Sequence, residues 1–146
     1  RKAERDMETA ARLVPEEELD REGKIYRRLC ELMQNEKIYK DTELNRDLLS
    51  KRIGTNAVYI TNAVRKYADG ATINEFINGY RLRHAASLLT NNPDLNINEV
   101  EYRSGFNSRA TFNRCFRAFF GMSPSEYKAV SKEKKKTQKD LSDEGV

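Results

Sequence analysis

Apolar side chains recur along most of the chain at three- and four-residue intervals, the period of a helix with one buried face. Between Glu16 and Asn35 that spacing is kept by Ile25, Leu29 and Leu32, with Tyr26 and Met33 beside them, and predicts a first helix. A second is expected after Leu44, with Asn45 as its N-cap, Leu48, Leu49 and Ile53 turned inward, and Gly54 breaking it. The pattern resumes at Asn56, sets Ile60 and Val64 four apart, and stops at Asp69-Gly70. Thr72 and Glu75 then have the spacing of a capping box, which opens a long helix through Phe76, Ile77, Tyr80, Ala85, Leu88 and Leu89. Asn91-Asn92-Pro93 closes that helix.

Beyond Pro93 the chain repeats its first half. A shift of 51 positions (105 minus 54) matches Leu44 with Leu95, Asn45 with Asn96, Leu49 with Val100, Arg52 with Arg103, Gly54 with Gly105 and Asn56 with Asn107. Past the glycine the apolar phase fits after one further residue of slip, which pairs Ile60 and Val64 with Phe112 and Phe116. The second turn is therefore expected to be one residue longer. Downstream, Gly70 matches Gly121, and Thr72 with Glu75 matches Ser123 with Glu126, where Pro124 suits the first helical position.

Each unit is a short helix, a turn with glycine and a second helix with one apolar face, which is the layout of a helix-turn-helix. Glycine serves at the turn because a residue without Cβ enters the left-handed region at little cost. In the second unit Phe106 is expected to plug the angle between the helices, with Phe112, Phe116 and one of Phe119 or Phe120 in the core. The fold class is all-α: two homeodomain-like three-helix units joined by a long connecting helix, about seven helices in all. The boundaries predicted are a lead-in over residues 1–15, a first subdomain over 16–71, the connecting helix over 72–92, a second subdomain over 93–130 and a basic, disordered tail over 131–146.

The second helix of each pair, residues 56–68 and 107–120, keeps an outer face free of the core. Such a helix fits the roughly 12 Å wide major groove, where Arg pairs with guanine and Asn with adenine. The outward positions expected to read bases are Val58, Thr61, Asn62 and Arg65 in the first unit and Arg109, Ala110, Asn113 and Arg114 in the second. Val58 and Ala110 suit a thymine methyl. Tyr59, Lys66, Thr111 and Arg117 fall toward the flanks and suit phosphates, as do the helix starts at Asn56-Ala57 and Asn107-Ser108 with their free N–H groups. Two such helices on one chain, spaced by the connecting helix, would enter groove segments about 34 Å apart without a palindromic target.

Charge strengthens this picture. The net charge of +4 is uneven: residues 1–22 hold five basic and eight acidic side chains, which leaves 22 basic against 15 acidic, or +7, in the rest. A polyanionic partner fits that balance. Other chemistry finds little support. His84 is the only histidine and has no Cys, Asp or Glu at metal-ligand spacing, so no metal or other cofactor is expected. Cys30 and Cys115 are too few for a disulfide framework and read as reduced, partly buried thiols. Neither a phosphate-cradling glycine loop nor an isolated carboxylate pair occurs, so no catalytic residue is assigned. A module for binding other proteins would show large apolar anchors outside, where this chain has Arg, Asn and Thr. No apolar run approaches the roughly twenty residues of a membrane span, and a cytoplasmic location is expected for this domain.

"GFNSRATFNRCFRAFFGMSPSEYK" (residues 105–128) resembles the C-terminal signature of AraC-type (AraC/XylS) transcription regulators, and "FINGYRLRHAASLL" is similar to their connecting helix. The likeness covers about residues 20–130. It implies a seven-helix domain with two helix-turn-helix subdomains that binds promoter DNA to activate or repress transcription, with RNA polymerase as a further partner. In many relatives the domain is fused to a sensory, receiver or membrane-anchored region, which agrees with a chain that starts at Arg1.

Overall fold

A computed structural model of the chain describes residues 14–144; the lead-in expected over 1–15 thus lies outside the described residues as far as position 13. Seven α-helices occur among the described residues: α1 (Arg21–Gln34), α2 (Arg46–Ile53), α3 (Ala57–Tyr67), α4 (Ile73–Asn91), α5 (Ile97–Arg103), α6 (Arg109–Phe120) and α7 (Pro124–Glu144). They divide into two compact units, and the division falls after Tyr80, inside α4. That helix supplies Ile73, Phe76, Ile77 and Tyr80 to the first core and Leu82, Ala85 and Leu89 to the second. The connector is thus a structural member of each unit. Its start is the capping box expected: the Glu75 N–H donates to Thr72 Oγ1 at 3.1 Å and the Thr72 N–H to Glu75 Oε1 at 3.4 Å.

In the first unit α1 starts later than its apolar pattern suggested. Glu16–Glu18 form a separate 3₁₀ turn, and the helix begins after Asp20, whose carboxylate accepts the Gly23 N–H at 2.7 Å. Gly23 has a packing reason: a Cβ there would lie 2.9 Å from both Asp20 Oδ1 and the Tyr67 hydroxyl. Tyr26, Leu29 and Met33 pack with Leu49, Ile60 and Val64. Asn45 caps α2 by accepting the Leu48 N–H at 2.9 Å, and Gly54 ends it in the left-handed region at φ 82°. Leu48 does not face inward as expected. It is 37% exposed, because the core-facing line of α2 runs through Leu49 and Ile53, one turn apart, and Leu48 lies about 100° round the helix from Leu49.

The second unit repeats the plan with a longer turn. α5 is capped by Asn96 and ends at Arg103, Ser104 comes next, and only then Gly105 at φ 98°. α6 is capped by Ser108, whose Oγ accepts the Thr111 N–H at 3.3 Å. The helix expected from Asn107 therefore starts two residues later, at Arg109, and Asn107 stays outside the cap. Phe106 is buried with its ring 5.1 Å from Phe112, as a plug should be. Phe112 and Phe116 are fully buried, whereas Phe119 and Phe120 are both half-buried against the cluster.

The disordered tail expected from residue 131 is corrected by α7, which runs on to Glu144. Lys, Glu and Gln carry little helical cost, and a helix already begun at Ser123-Pro124 propagates more easily than it nucleates. Its lysines also find partners: Lys128 Nζ donates to the Leu95 carbonyl at 2.8 Å and Lys135 Nζ to the Thr90 carbonyl at the end of α4.

Candidate nucleic-acid interface

The outer stripes of α3 and α6 are built in the same way. With Ile60 and Val64 taken as the counterparts of Phe112 and Phe116, Val58 corresponds to Ala110, Thr61 to Asn113, Asn62 to Arg114 and Arg65 to Arg117. At about 100° per residue each set clusters on the side opposite the buried pair. Val58 is 61% exposed; Ala110, Asn113, Arg114, Arg65 and Arg117 are exposed as well, and Thr61 and Asn62 are half-buried.

Contacts within the chain qualify several of these residues. The Thr61 hydroxyl donates to the Ala57 carbonyl at 3.1 Å and accepts from Arg46 Nη1 at 3.4 Å, so its methyl is the part left for a ligand. Arg109, at the position of Ala57, donates from Nε to Glu101 Oε1 at 2.8 Å. Arg117 lies 3.7 Å from Glu126, a weak exposed pair. Asn113 and Arg114 are exposed next to each other in the middle of α6.

The flanks differ from the sequence reading more than the stripes do. Tyr59 is half-buried with its ring under the Arg21 guanidinium, 4.8 Å away. Lys66 donates to Asp20 Oδ2, and the Tyr67 hydroxyl donates to Oδ1 of the same carboxylate at 2.8 Å. A phosphate would have to take Lys66 from Asp20. The helix starts are better placed: Asn56 Oδ1 accepts the Tyr59 N–H at 3.1 Å, and the amides ahead of it in α3 lack an intrahelical acceptor. Ser108 leaves the first amides of α6 in the same position, while Thr111 spends its own N–H on that cap.

The Lys66 and Tyr67 contacts to Asp20 were not legible in the sequence, since those residues lie 46 and 47 positions away. Hydrogen bonds from Lys66, then Tyr67, then the Gly23 N–H hold its carboxyl at about 2, below the ordinary 3.8. The folded protein binds this proton less readily than the unfolded chain, so the contribution to stability is complete above pH 3.8 and fades toward pH 2. In such an exposed setting it amounts to under about 1 kcal/mol. Asp20→Asn keeps a cap but removes the charge; urea melts should show a small deficit near neutral pH that closes as the pH falls to about 2.

Residues 49–129, more than half of the 146-residue chain, match a family described as a helix-turn-helix domain. The chain belongs to the AraC/XylS family of transcription regulators. Among its relatives, the AraC-type domain is 36% identical over 95 residues to histidine kinase P4 of Formosa agariphila, which covers 62% of this chain and 7% of that protein. It is 31% identical over 98 residues to the probable transcription factor PqrA of Proteus vulgaris, covering 67% of this chain and 74% of PqrA. Its fold is similar to the C-terminal domain of AraT, a response regulator from Geobacillus stearothermophilus, with a TM-score of 0.67 at 22% identity over 76% of this chain and 88% of that one. The AraC-type domain spans less than a third of the length of several curated relatives that it matches. Among the described residues no helix is long and apolar enough to cross a membrane.

Proposed function

We propose that this DNA-binding domain inserts α3 and α6 into successive major-groove segments of promoter DNA and reads bases through Val58, Thr61 and Asn62 on one and Arg109, Ala110, Asn113 and Arg114 on the other. The observation that carries the reading is α6: a helix with Phe112 and Phe116 fully buried on one side and Asn113 and Arg114 exposed beyond it. Arg114 has the fork that fits guanine O6 and N7, and Asn113 can pair with adenine. Arg65 and Arg117 hold equivalent positions in the last turns of their helices, so they take one role. Recognition helices meet base edges with their N-terminal residues, so that role is phosphate binding. Arg65 thereby moves from the base readers to the backbone contacts.

The amides at Ala57 and around Ser108 add phosphate contacts, supported by Asn56, Tyr59 and Thr111. RNA polymerase is the further partner proposed for a promoter-bound regulator, and the cytoplasm the compartment. The match to a short part of a histidine kinase supports a fused sensory or receiver region in the parent protein. The test is a mobility shift on duplexes selected from a random library, repeated across a salt series. Affinity should favour the selected duplex and fall steeply with salt, in proportion to the phosphates neutralised. Equal binding to all duplexes with a flat salt response would refute sequence-specific DNA binding.

A further inference from the structure

The first unit carries a cationic cleft that its reading helix does not explain. It has a volume of about 400 Å³ and is lined by Arg46 from the start of α2, Thr61 and Arg65 from α3, and Thr72 and Asn74 from the start of α4. Arg46 and Arg65 approach it from different helices. Arg46 Nη1 is anchored to Thr61 Oγ1 at 3.4 Å, and neither guanidinium is paired with an acid among the described residues. On the α4 side the first intrahelical bond runs from the Phe76 N–H to the Thr72 carbonyl at 2.9 Å, and Thr72 Oγ1 takes the Glu75 N–H. The amides of Ile73 and Asn74 therefore have no acceptor within the helix.

The second unit lacks the arrangement. The repeat puts Ile97 where the first unit has Arg46, and Arg117, the counterpart of Arg65, lies 3.7 Å from Glu126. The first unit thus has two guanidiniums without acidic partners, from α2 and α3, lining one cleft together with Ile73 and Asn74 at the start of α4.

We infer that this cleft binds one phosphodiester of the DNA strand flanking the groove segment that α3 enters, with Arg46 and Arg65 as the clamp. The inference rests on the DNA-reading proposal and deepens it. Two forks and two amides match the tetrahedral oxygens of a phosphate, which charge-assisted bonds favour. Arg46 is tied at one nitrogen to Thr61, so its remaining donors are already oriented and lose little freedom on binding. The site carries no base information. It anchors the half of the domain whose outer stripe, with Asn62 where the second unit has Arg114, is the poorer in charge.

The experiment uses the 146-residue chain and the duplex that it selects from a random library, with single phosphates replaced by neutral methylphosphonates. Wild-type protein should lose affinity at one position flanking the first-unit site, and that sensitivity should vanish in the Arg46→Ala, Arg65→Ala double variant. Arg46→Ala alone should weaken binding several-fold on every duplex and lower the salt slope by about 0.9. An unchanged methylphosphonate profile in the double variant overturns the clamp, even if overall affinity falls. NMR titration with inorganic phosphate separates the sources: saturable shifts of the Ile73 and Asn74 amides at low concentration, with no change in the methylphosphonate profile, would assign the cleft to a free phosphate ligand and overturn the DNA assignment. Failure of the base-reading proposal would show elsewhere, as an Arg114→Ala variant with unaltered sequence preference.

Discussion

Phe112→Ala is expected to cost about 3 to 5 kcal/mol of stability, because it removes a fully buried ring that packs on both Phe106 and Phe116. The ring centroids lie 5.1 and 5.7 Å away, and the neighbours belong to the turn and to the same helix, so the void has few ways to collapse. The melting temperature should fall by roughly 10 °C or more, followed by circular dichroism. Phe112→Leu, which keeps most of the apolar volume, should lose much less. A melt of Phe112→Ala that overlays the wild type would mean that α6 does not hold the second unit together.

Arg114→Ala carries the second large effect, on binding rather than folding. The side chain is exposed and its removal leaves no cavity, so the fold should persist. Affinity for the best duplex should drop by about 1 to 3 kcal/mol, with preference relaxed at a single base pair. Arg117→Ala should instead weaken all duplexes alike, since a phosphate contact carries no sequence. Binding-site selection on both variants separates the cases. Equal, sequence-independent losses from both would put the base-reading stripe elsewhere on α6.

Much of this architecture could be read from residue order because it rests on short-range rules. Gly54 is left-handed at a helix end, Asn45 and Asn96 cap through bonds three residues away, and Phe112 and Phe116 keep a helical period. The features that escaped depend on contacts or crowding that no local pattern encodes. Leu48 and Leu49 are equally apolar, and only the packing of α1 and α3 onto a short α2 decides which is covered. Ser108 and Asn107 are both capable caps; the cap falls on Ser108, three residues after Gly105, where the first unit has Asn56 two after Gly54. Glu101 gave no sign that it holds Arg109, because the pair bridges two helices across the turn. The charged stretch after residue 130 has no apolar stripe, so periodicity could not reveal α7, although its helix-forming composition could have.

That last helix bears on where the domain ends. The segment shared with the family stops at residue 129, yet Ser131 lies 3.5 Å from the Thr90 hydroxyl and Lys135 reaches the Thr90 carbonyl. A truncated protein cut at the boundary of homology would lose both partners and leave the carboxyl end of α4 open to fraying. Since α4 belongs to two cores, trimming for convenience would erode the scaffold itself, and a faithful fragment has to reach at least beyond Lys135.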